Sequence, residues 1–560
     1  MHADRVIENG RLVNVYTGEV MDSGVAVLGD TILHVGDCGR LVGPETAFFD
    51  AGGDYLVPGF FDAHAHMDLF YNPAAYARYV LTRGTTSLFN DGHDLAAAIG
   101  VDGFLRMFER LQEGVMTVLS GAPAATPPYP EVEGEDLWST EDFEKAMDRD
   151  FIRSVSETVS YLRIVDGDPG LLERFRLARG KGKLIEGHTT GANWDRLNAL
   201  AYRGVLSCHE ALHAKDVLNR LRLGFHVMLR HGSIRQDMDR YMEALRAMEG
   251  FDTSRIMLVS DGIFADHLLE WGNMDWVVAE AVRCGLDPVR AIQMATLNPA
   301  RYFRMDNKVG AIAPGRLAHI LVVPSLEIPT PRAVFSRGVL AAEEGRLTID
   351  GFPETAAETG SRPFAVGPLE ESTFRIEQDG RSGTVPVITI VDRTVTGRED
   401  LEIPVKNGCY EPPGHVLQAF LISRDGTRVG KGLVKGFARG LGGLASTVSH
   451  DTHGLLVLGS DPADMAAAAK DALSRGGGVS LVQAGKVLAR VPLPIAGVCS
   501  TRSVPDLAEE IRLLNQAVHA MGSGLDNPLW TLVFLSFTSV LQLRLTYAGV
   551  YDVRRGEIVF

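Results

Sequence analysis

Two histidines one residue apart end the apolar run Pro58-Gly59-Phe60-Phe61-Asp62-Ala63-His64-Ala65-His66. On a strand, His64 and His66 point to one face, and two neutral imidazoles on one face suit a divalent transition metal. Taken alone, the pair reads more plainly as two partly exposed loop histidines. Further donors follow strand-like runs at four comparable places: Glu157 after Ile152-Arg153-Ser154-Val155, His188 after Lys183-Leu184-Ile185, His209 after Val205-Leu206-Ser207-Cys208, and Asp261 after the run from Ile256 to Ser260. In a parallel barrel the carboxyl ends of the strands converge on one face, so four histidines and two carboxylates far apart in sequence are able to surround a pair of ions. Glu157 and Asp261 each have an ordinary alternative at a helix amino terminus.

A competing motif overlaps this set. His209-Glu210-Ala211-Leu212-His213 matches H-E-x-x-H, whose two histidines bind zinc when they occupy successive turns of one helix. Gly204 and the apolar Val205-Leu206 instead predict that His209 ends a strand and His213 lies on the helix or loop beyond it. A zinc peptidase is therefore the lesser reading.

The elements that must position these donors are legible as changes of pattern. Residues 1–57 carry short apolar runs separated by Gly18, Gly24 and Gly29 and read as β-hairpins. Residues 58–310 alternate short apolar runs with helix-like stretches, the pattern of an α/β barrel. Residues 311–345 return to strand-like text and are expected to complete the amino-terminal sheet across the barrel as a split β-domain. Residues 346–365, rich in Gly, Pro, Glu and Thr, read as a linker, and 366–560 as a carboxyl-terminal α/β domain. The apolar stretch from Leu529 to Leu543 is broken by Thr531, Ser536, Thr538, Ser539 and Gln542 and is too short to span a bilayer, so it reads as buried core.

Composition excludes other classes. With 560 residues, 45% hydrophobic and 22% charged, the chain is globular and long enough for several domains. A formal charge of −16 argues against a nonspecific phosphate-binding surface. The five cysteines, Cys38, Cys208, Cys284, Cys409 and Cys499, are scattered without a C-x-x-C pair, which disfavours a disulfide framework or a cysteine zinc cage and fits a reducing compartment. The first residues lack the apolar core of a secretory signal. A cytoplasmic enzyme with a small-molecule partner, neither nucleic acid nor membrane, and a homo-oligomeric state with a dimer favoured is expected.

Further segments extend the reading from single residues to a family. The chain resembles the adenine deaminase family of the amidohydrolase superfamily through Val57-Pro58-Gly59 and the histidine pair, Arg83-Gly84-Thr85-Thr86, Gly187-His188, Cys208-His209-Glu210, Met294-Ala295-Thr296-Leu297-Asn298-Pro299-Ala300, Gly310-Ala311-Ile312-Ala313-Pro314-Gly315, Ser449-His450-Asp451-Thr452-His453 and Leu493-Pro494-Ile495-Ala496-Gly497. The resemblance implies a (β/α)-barrel of amidohydrolase type with a split β-sandwich domain. It also implies a two-metal centre of His64, His66, Glu157, His188, His209 and Asp261, Glu157 bridging, with manganese or iron expected and zinc the alternative. Asp261 is the implied proton acceptor, and His93, Arg230 and Ser233 are the implied substrate contacts, with solvated loop residues as their plain alternative. The implied reaction turns adenine or a related 6-aminopurine into a 6-oxopurine and ammonia. The chain departs from the family pattern at Met67-Asp68-Leu69-Phe70, where Glu-Ser-Ser is usual. His231 and Gly262 stand where acidic residues are usual, and His319 where an aspartate is common. An amino-terminal helical extension common in the family is not seen. These changes keep an N6-substituted purine, another aminated heterocycle or an amide as the alternative substrate, and a scaffold without turnover as a lesser one. Ser449 to His453 reads as a hydrogen-bonded turn, with a polar patch over the active site or an accessory metal site as the alternatives. Gly476 to Gly478 reads as a turn.

Overall fold

A computed structural model describes residues 2–248, 250, 252–350, 352–355, 362–378, 382–540 and 542–560. The chain begins in a sheet that it leaves and later re-enters. Strand Arg5–Asn14 pairs antiparallel with Glu19–Leu28, which pairs with Thr31–Gly36, while Tyr55–Pro58 lies parallel to the first strand. On its other edge Tyr55–Pro58 pairs antiparallel with Ile320–Val323, in the register Pro58 with Ile320 and Tyr55 with Val323. The strands Ala333–Ser336, Val339–Glu343 and Arg346–Leu347 extend the same sheet. Ile7, Leu12, Val25, Leu56, Ile320, Val322 and Phe335 form its core, so apolar residues from both ends of the excursion supply the burial that joins them. The sheet runs two residues past the expected edge at 345, because the turn at Glu344 and Gly345 brings Arg346 and Leu347 back against Glu343 and Ala342.

Between these halves the strands are parallel. Phe60–Ala65, Thr85–Asn90, Thr117–Ala122, Ile152–Thr158 and Leu184–Gly187 form one run, and Ser207–Cys208, His226–Arg230 and Ile256–Val259 another. Hydrogen bonds join the runs at both seams: Leu206 N donates to Ile185 O at 3.1 Å and Asp261 N to His64 O at 3.0 Å. The curled sheet is thereby tied end to end. Helices such as Pro73–Thr82 and Trp194–Tyr202 cover it, their amino termini capped by Asn72 and Asn193. Covered strands lose solvent on both faces, which explains why Ile256–Val259 reads as an unbroken apolar run. Gly59 at the entrance is dictated by packing: a Cβ there would lie 2.1 Å from Thr86 Oγ1.

The carboxyl-terminal segment is β-rich. A nine-stranded sheet runs from the hairpin Ser382–Asp392 and Val395–Lys406 through to Lys486–Pro492, backed by helices Pro462–Leu473 and Val504–Ala520. In the apolar stretch beginning at Leu529, Leu529, Trp530, Leu532 and Val533 are buried on the short helix Pro528–Val533. Among the described residues no helix is long and apolar enough to cross a membrane. Of the predicted linker, 348–350, 352–355 and 362–365 carry no helix or strand, and 351 and 356–361 lie outside the described residues. Gly476 to Gly478 forms a turn leading into strand Gly478–Gln483, with φ of 81°, 127° and 137°.

Candidate metal centre

Each of the six donors read from the sequence stands at the carboxyl end of a barrel strand. His64 lies near the end of Phe60–Ala65 with His66 just beyond it, Glu157 at the end of Ile152–Thr158, His188 after Leu184–Gly187, His209 after Ser207–Cys208 and Asp261 two residues after Ile256–Val259. All six are buried. Asp261 adopts φ 58°, a conformation Asp tolerates better than branched residues. Ser260 N reinforces the turn by donating to Asp62 Oδ1 at 3.2 Å.

The donor atoms converge. His66 Nε2 is 3.7 Å from Glu157 Oε1 and 3.4 Å from Asp261 Oδ1, and His64 Nε2 is 3.7 Å from that same aspartate oxygen. His188 Nδ1 and His209 Nε2 approach Glu157 Oε2 at 2.6 and 3.0 Å. Metal bonds of about 2.1 Å place adjacent tetrahedral donors roughly 3.4 Å apart, so the spacings around His64, His66 and Asp261 fit ligands around a cation, while His188 is hydrogen-bonded directly to Glu157. Two further observations agree. Both ring nitrogens of His64 are buried without a hydrogen-bond partner. Glu157 belongs to two donor groups, one with His64 and His66 and one with His188 and His209, while His64, His209 and Asp261 make a third.

The electrostatics favour positive charge. Burial and the adjacent His209 hold His64 neutral, its pKa well below the ordinary value, which keeps a lone pair free. Burial also opposes a charged His209, yet Glu157 outweighs it and raises the pKa to about 9. Burial opposes ionisation of Asp261, but the bond from His66 and the Arg230 guanidinium keep it far below the usual carboxylate range. Carboxylates that draw protons onto buried imidazoles create a demand that a divalent cation meets equally well.

A cavity opens on this set. Thr190, Glu210, Arg230 and Ile234 line its barrel side, and Thr394, His450, Phe534, Phe537 and Val540 close it from the carboxyl-terminal segment. Arg230 Nη1 donates to Asp261 Oδ2 at 3.0 Å and to Glu210 Oε1, so it both faces the cavity and fixes two carboxylates. Thr190 Oγ1 donates to Glu210 Oε2 at 2.6 Å. Burial works against the Glu210 charge, but Arg230, His188 and His209 prevail and lower its pKa to about 2.

Ser233 and His93 are placed differently. Ser233 Oγ accepts from Phe264 N at 2.8 Å and is not among the residues lining this cavity. His93 lines a neighbouring cleft with Glu157 and Asp451, its Nδ1 2.5 Å from Asp91 Oδ2. The H-E-x-x-H reading fails on geometry, because His213 is not on a helix turn above His209. It precedes helix Ala214–Arg222, pairs with Asp216 at 2.9 Å and leaves its side chain 62% exposed. His213→Ala is therefore expected to leave bound metal unchanged and kcat within about twofold, the effect of an ordinary surface substitution. Loss of metal in that variant, read by elemental analysis, would restore the peptidase reading.

The departures from the family pattern have local explanations. His231 packs against Trp276 with ring centres 4.6 Å apart and the planes tilted by 45°, away from the cavity, and burial lowers its pKa to about 4. At Gly262 a Cβ would lie 2.8 Å from Ile234 Cδ1, so Ile234 occupies the space a side chain would need. Asp68 is buried, accepting from Leu95 N at 3.0 Å, with burial and Asp94 raising its pKa to about 6. His319 lies at the junction of barrel and first sheet, 3.1 Å from Ser336 Oγ and 3.4 Å from Thr117 Oγ1.

Comparison with known proteins meets this geometry. The pattern of the Amidohydrolase family matches residues 55–342, and that of the Adenine deaminase C-terminal domain matches 393–557. The adenine deaminase of Moorella thermoacetica is 36% identical over 100% of this chain and 95% of its own length. The chain belongs to the adenine deaminase family of amidohydrolases. The adenine deaminase of Cenarchaeum symbiosum is 34% identical over 100% of this chain and 92% of its own. The solved β-aspartyl dipeptidase of Fervidobacterium islandicum AW-1 aligns with a TM-score of 0.47 at 16% identity, over 62% of this chain and 99% of its own. Among the residues that sequence reasoning missed are the aromatic ones on the cavity's far wall. Phe534 and Phe537 read as core because nothing in an apolar stretch marks the side that faces a cavity.

Proposed function

We propose that this chain hydrolytically deaminates adenine or a closely related 6-aminopurine, water adding at C6 and the 6-amino group leaving as ammonia to give the 6-oxopurine. The observation that carries the reading is the convergence of His66, Glu157, His188, His209 and Asp261 on one cavity, with His64 buried beside Asp261, in a chain related over its full length to adenine deaminases. Those six residues would hold two divalent ions, manganese or iron with zinc as the alternative, and Glu157 would bridge them. Bound there, the ions make water acidic enough to furnish a nucleophile near neutral pH.

The chain's own groups supply the rest. Asp261 accepts the proton of the attacking water and returns it to the departing amine, and its Oδ2 bond from Arg230 holds the carboxylate in place for both transfers. Glu210, kept ionised, offers the cavity an acceptor for a purine N–H. Phe534 and Phe537 give a planar base an apolar surface and exclude bulk water. The five cysteines, all unpaired, support a cytoplasmic setting.

A second reading, an N6-substituted purine or another aminated heterocycle, is favoured by Ile234, which makes the cavity wall beside Gly262 apolar. Manganese-loaded protein offered a panel of aminated heterocycles is expected to release ammonia from adenine with matching hypoxanthine by chromatography. Ammonia from another panel member, or the free amine plus 6-oxopurine from an N6-substituted purine, with neither product from adenine, would replace the first reading with the second.

A further inference from the structure

Outside the six-residue set, four buried side chains from two parts of the chain meet end to end. His93 and Asp94 begin the helix His93–Leu111 on the barrel, and His450 and Asp451 come down on them from the loop after strand Gly443–Ser446. His450 Nδ1 lies 2.8 Å from Asp94 Oδ1. His93 Nε2 and His450 Nε2 lie 3.1 and 3.4 Å from Asp451 Oδ1. These approaches are short, yet they lack the alignment of hydrogen bonds. Both oxygens of Asp94, both oxygens of Asp451, His93 Nε2 and His450 Nδ1 are buried with no hydrogen-bond partner among the described residues.

Buried carboxylates and imidazoles are ordinarily satisfied by partners, and here six atoms are not. Donor atoms that crowd together without bonding one another leave lone pairs for a shared partner. One atom from each of the four residues lies within 4.8 Å of all the others. Two imidazole nitrogens and two carboxylate oxygens form a donor set that first-row divalent ions accept, and the two negative charges balance one such ion. A cleft lined by His93, Glu157 and Asp451 reaches two of the four residues. Asp94 Oδ2 also stands 3.7 Å from His66 Nδ1, so this cluster adjoins the catalytic set while using none of its six residues.

We infer that His93, Asp94, His450 and Asp451 form a third divalent-cation site, which clamps the carboxyl-terminal segment onto the barrel. The hydrogen-bonded turn expected from the sequence is present, since His453 N donates to Ser449 O at 2.7 Å, and on this inference it serves to present ligands. His453 Nε2, 2.9 Å from Asp94 Oδ1, stands behind the site as a neighbour of the ligand.

The test uses the full chain and manganese alone as the probe. Chelator-stripped protein dialysed against a manganese series is expected to saturate near three ions per chain, and Asp451→Ala to lose one of them or bind it more than about tenfold more weakly. Saturation at two ions in the wild type, or an unchanged series in the variant, would overturn the inference. Because the variant risks misfolding, anomalous diffraction at the manganese edge on wild-type crystals gives an independent answer. A peak among His93, Asp94, His450 and Asp451 is expected. Peaks only within the His64 to Asp261 set would leave the catalytic reading standing and remove the third site, and the four side chains would then be an ion-paired or hydrated contact.

Discussion

Asp261→Asn is expected to lower kcat by about 10²–10⁴-fold at matched metal occupancy, the usual worth of general acid–base catalysis. That range corresponds to roughly 3–5 kcal/mol of barrier. The amide is nearly the same size as the carboxylate, so the seam hydrogen bond from Asp261 N to His64 O should survive. What changes is the acid–base chemistry at Oδ1 and Oδ2. Oδ1 faces His64 and His66, and Oδ2 receives the Arg230 bond. The measurement is kcat for ammonia release from adenine, with metal content recorded for both proteins. Retention of more than about a tenth of wild-type kcat contradicts a proton-transferring role, and Glu210, which shares Arg230 with Asp261, becomes the next group to test.

His66→Ala carries the other large effect. Its Nε2 sits between Glu157 Oε1 and Asp261 Oδ1, at 3.7 and 3.4 Å, so this one imidazole faces both carboxylates. Losing partners that merely support a ligand weakens metal binding by about 10–100-fold, and loss of a ligand itself is expected to exceed that range. Elemental analysis of manganese-loaded protein should show bound metal depleted, and turnover should fall to the limit of detection. Normal metal content with normal turnover would mean that the six donors are not the metal centre. The two variants report separately, since Asp261→Asn is read with metal present and His66→Ala through metal lost.

The six donors were legible because a parallel barrel writes each of them in the same way, as a polar residue closing an apolar strand run. Gly204 and Val205-Leu206 likewise separated His209 from His213 correctly, since a strand end cannot also be a helix turn. The pairing of Ile320–Val323 with Tyr55–Pro58 was readable as a return to strand text, although the extra strand Arg346–Leu347 was not, since a two-residue strand carries no periodicity. The cavity's far wall was hidden for a different reason. Phe534, Phe537 and Val540 differ from core residues only in what lies beyond their rings, which depends on contacts across hundreds of residues. Asp94 was hidden in the same way, its partners His450 and Asp451 being supplied by another part of the chain.

The seam between the first and last barrel strands bears on how the protein acquires its site. Ser260 and Asp62 meet across a separation of 198 residues, and Asp261 and His64 meet beside them. Closing so long a loop is a slow, non-local event whose entropy must be offset before its contacts form. During synthesis the two histidines emerge long before Asp261, so a partial barrel holds no complete donor set however well its early strands pair. High-affinity metal uptake is then a signal of barrel closure. In refolding from denaturant it should rise after the helical signal has recovered, following the last strand home.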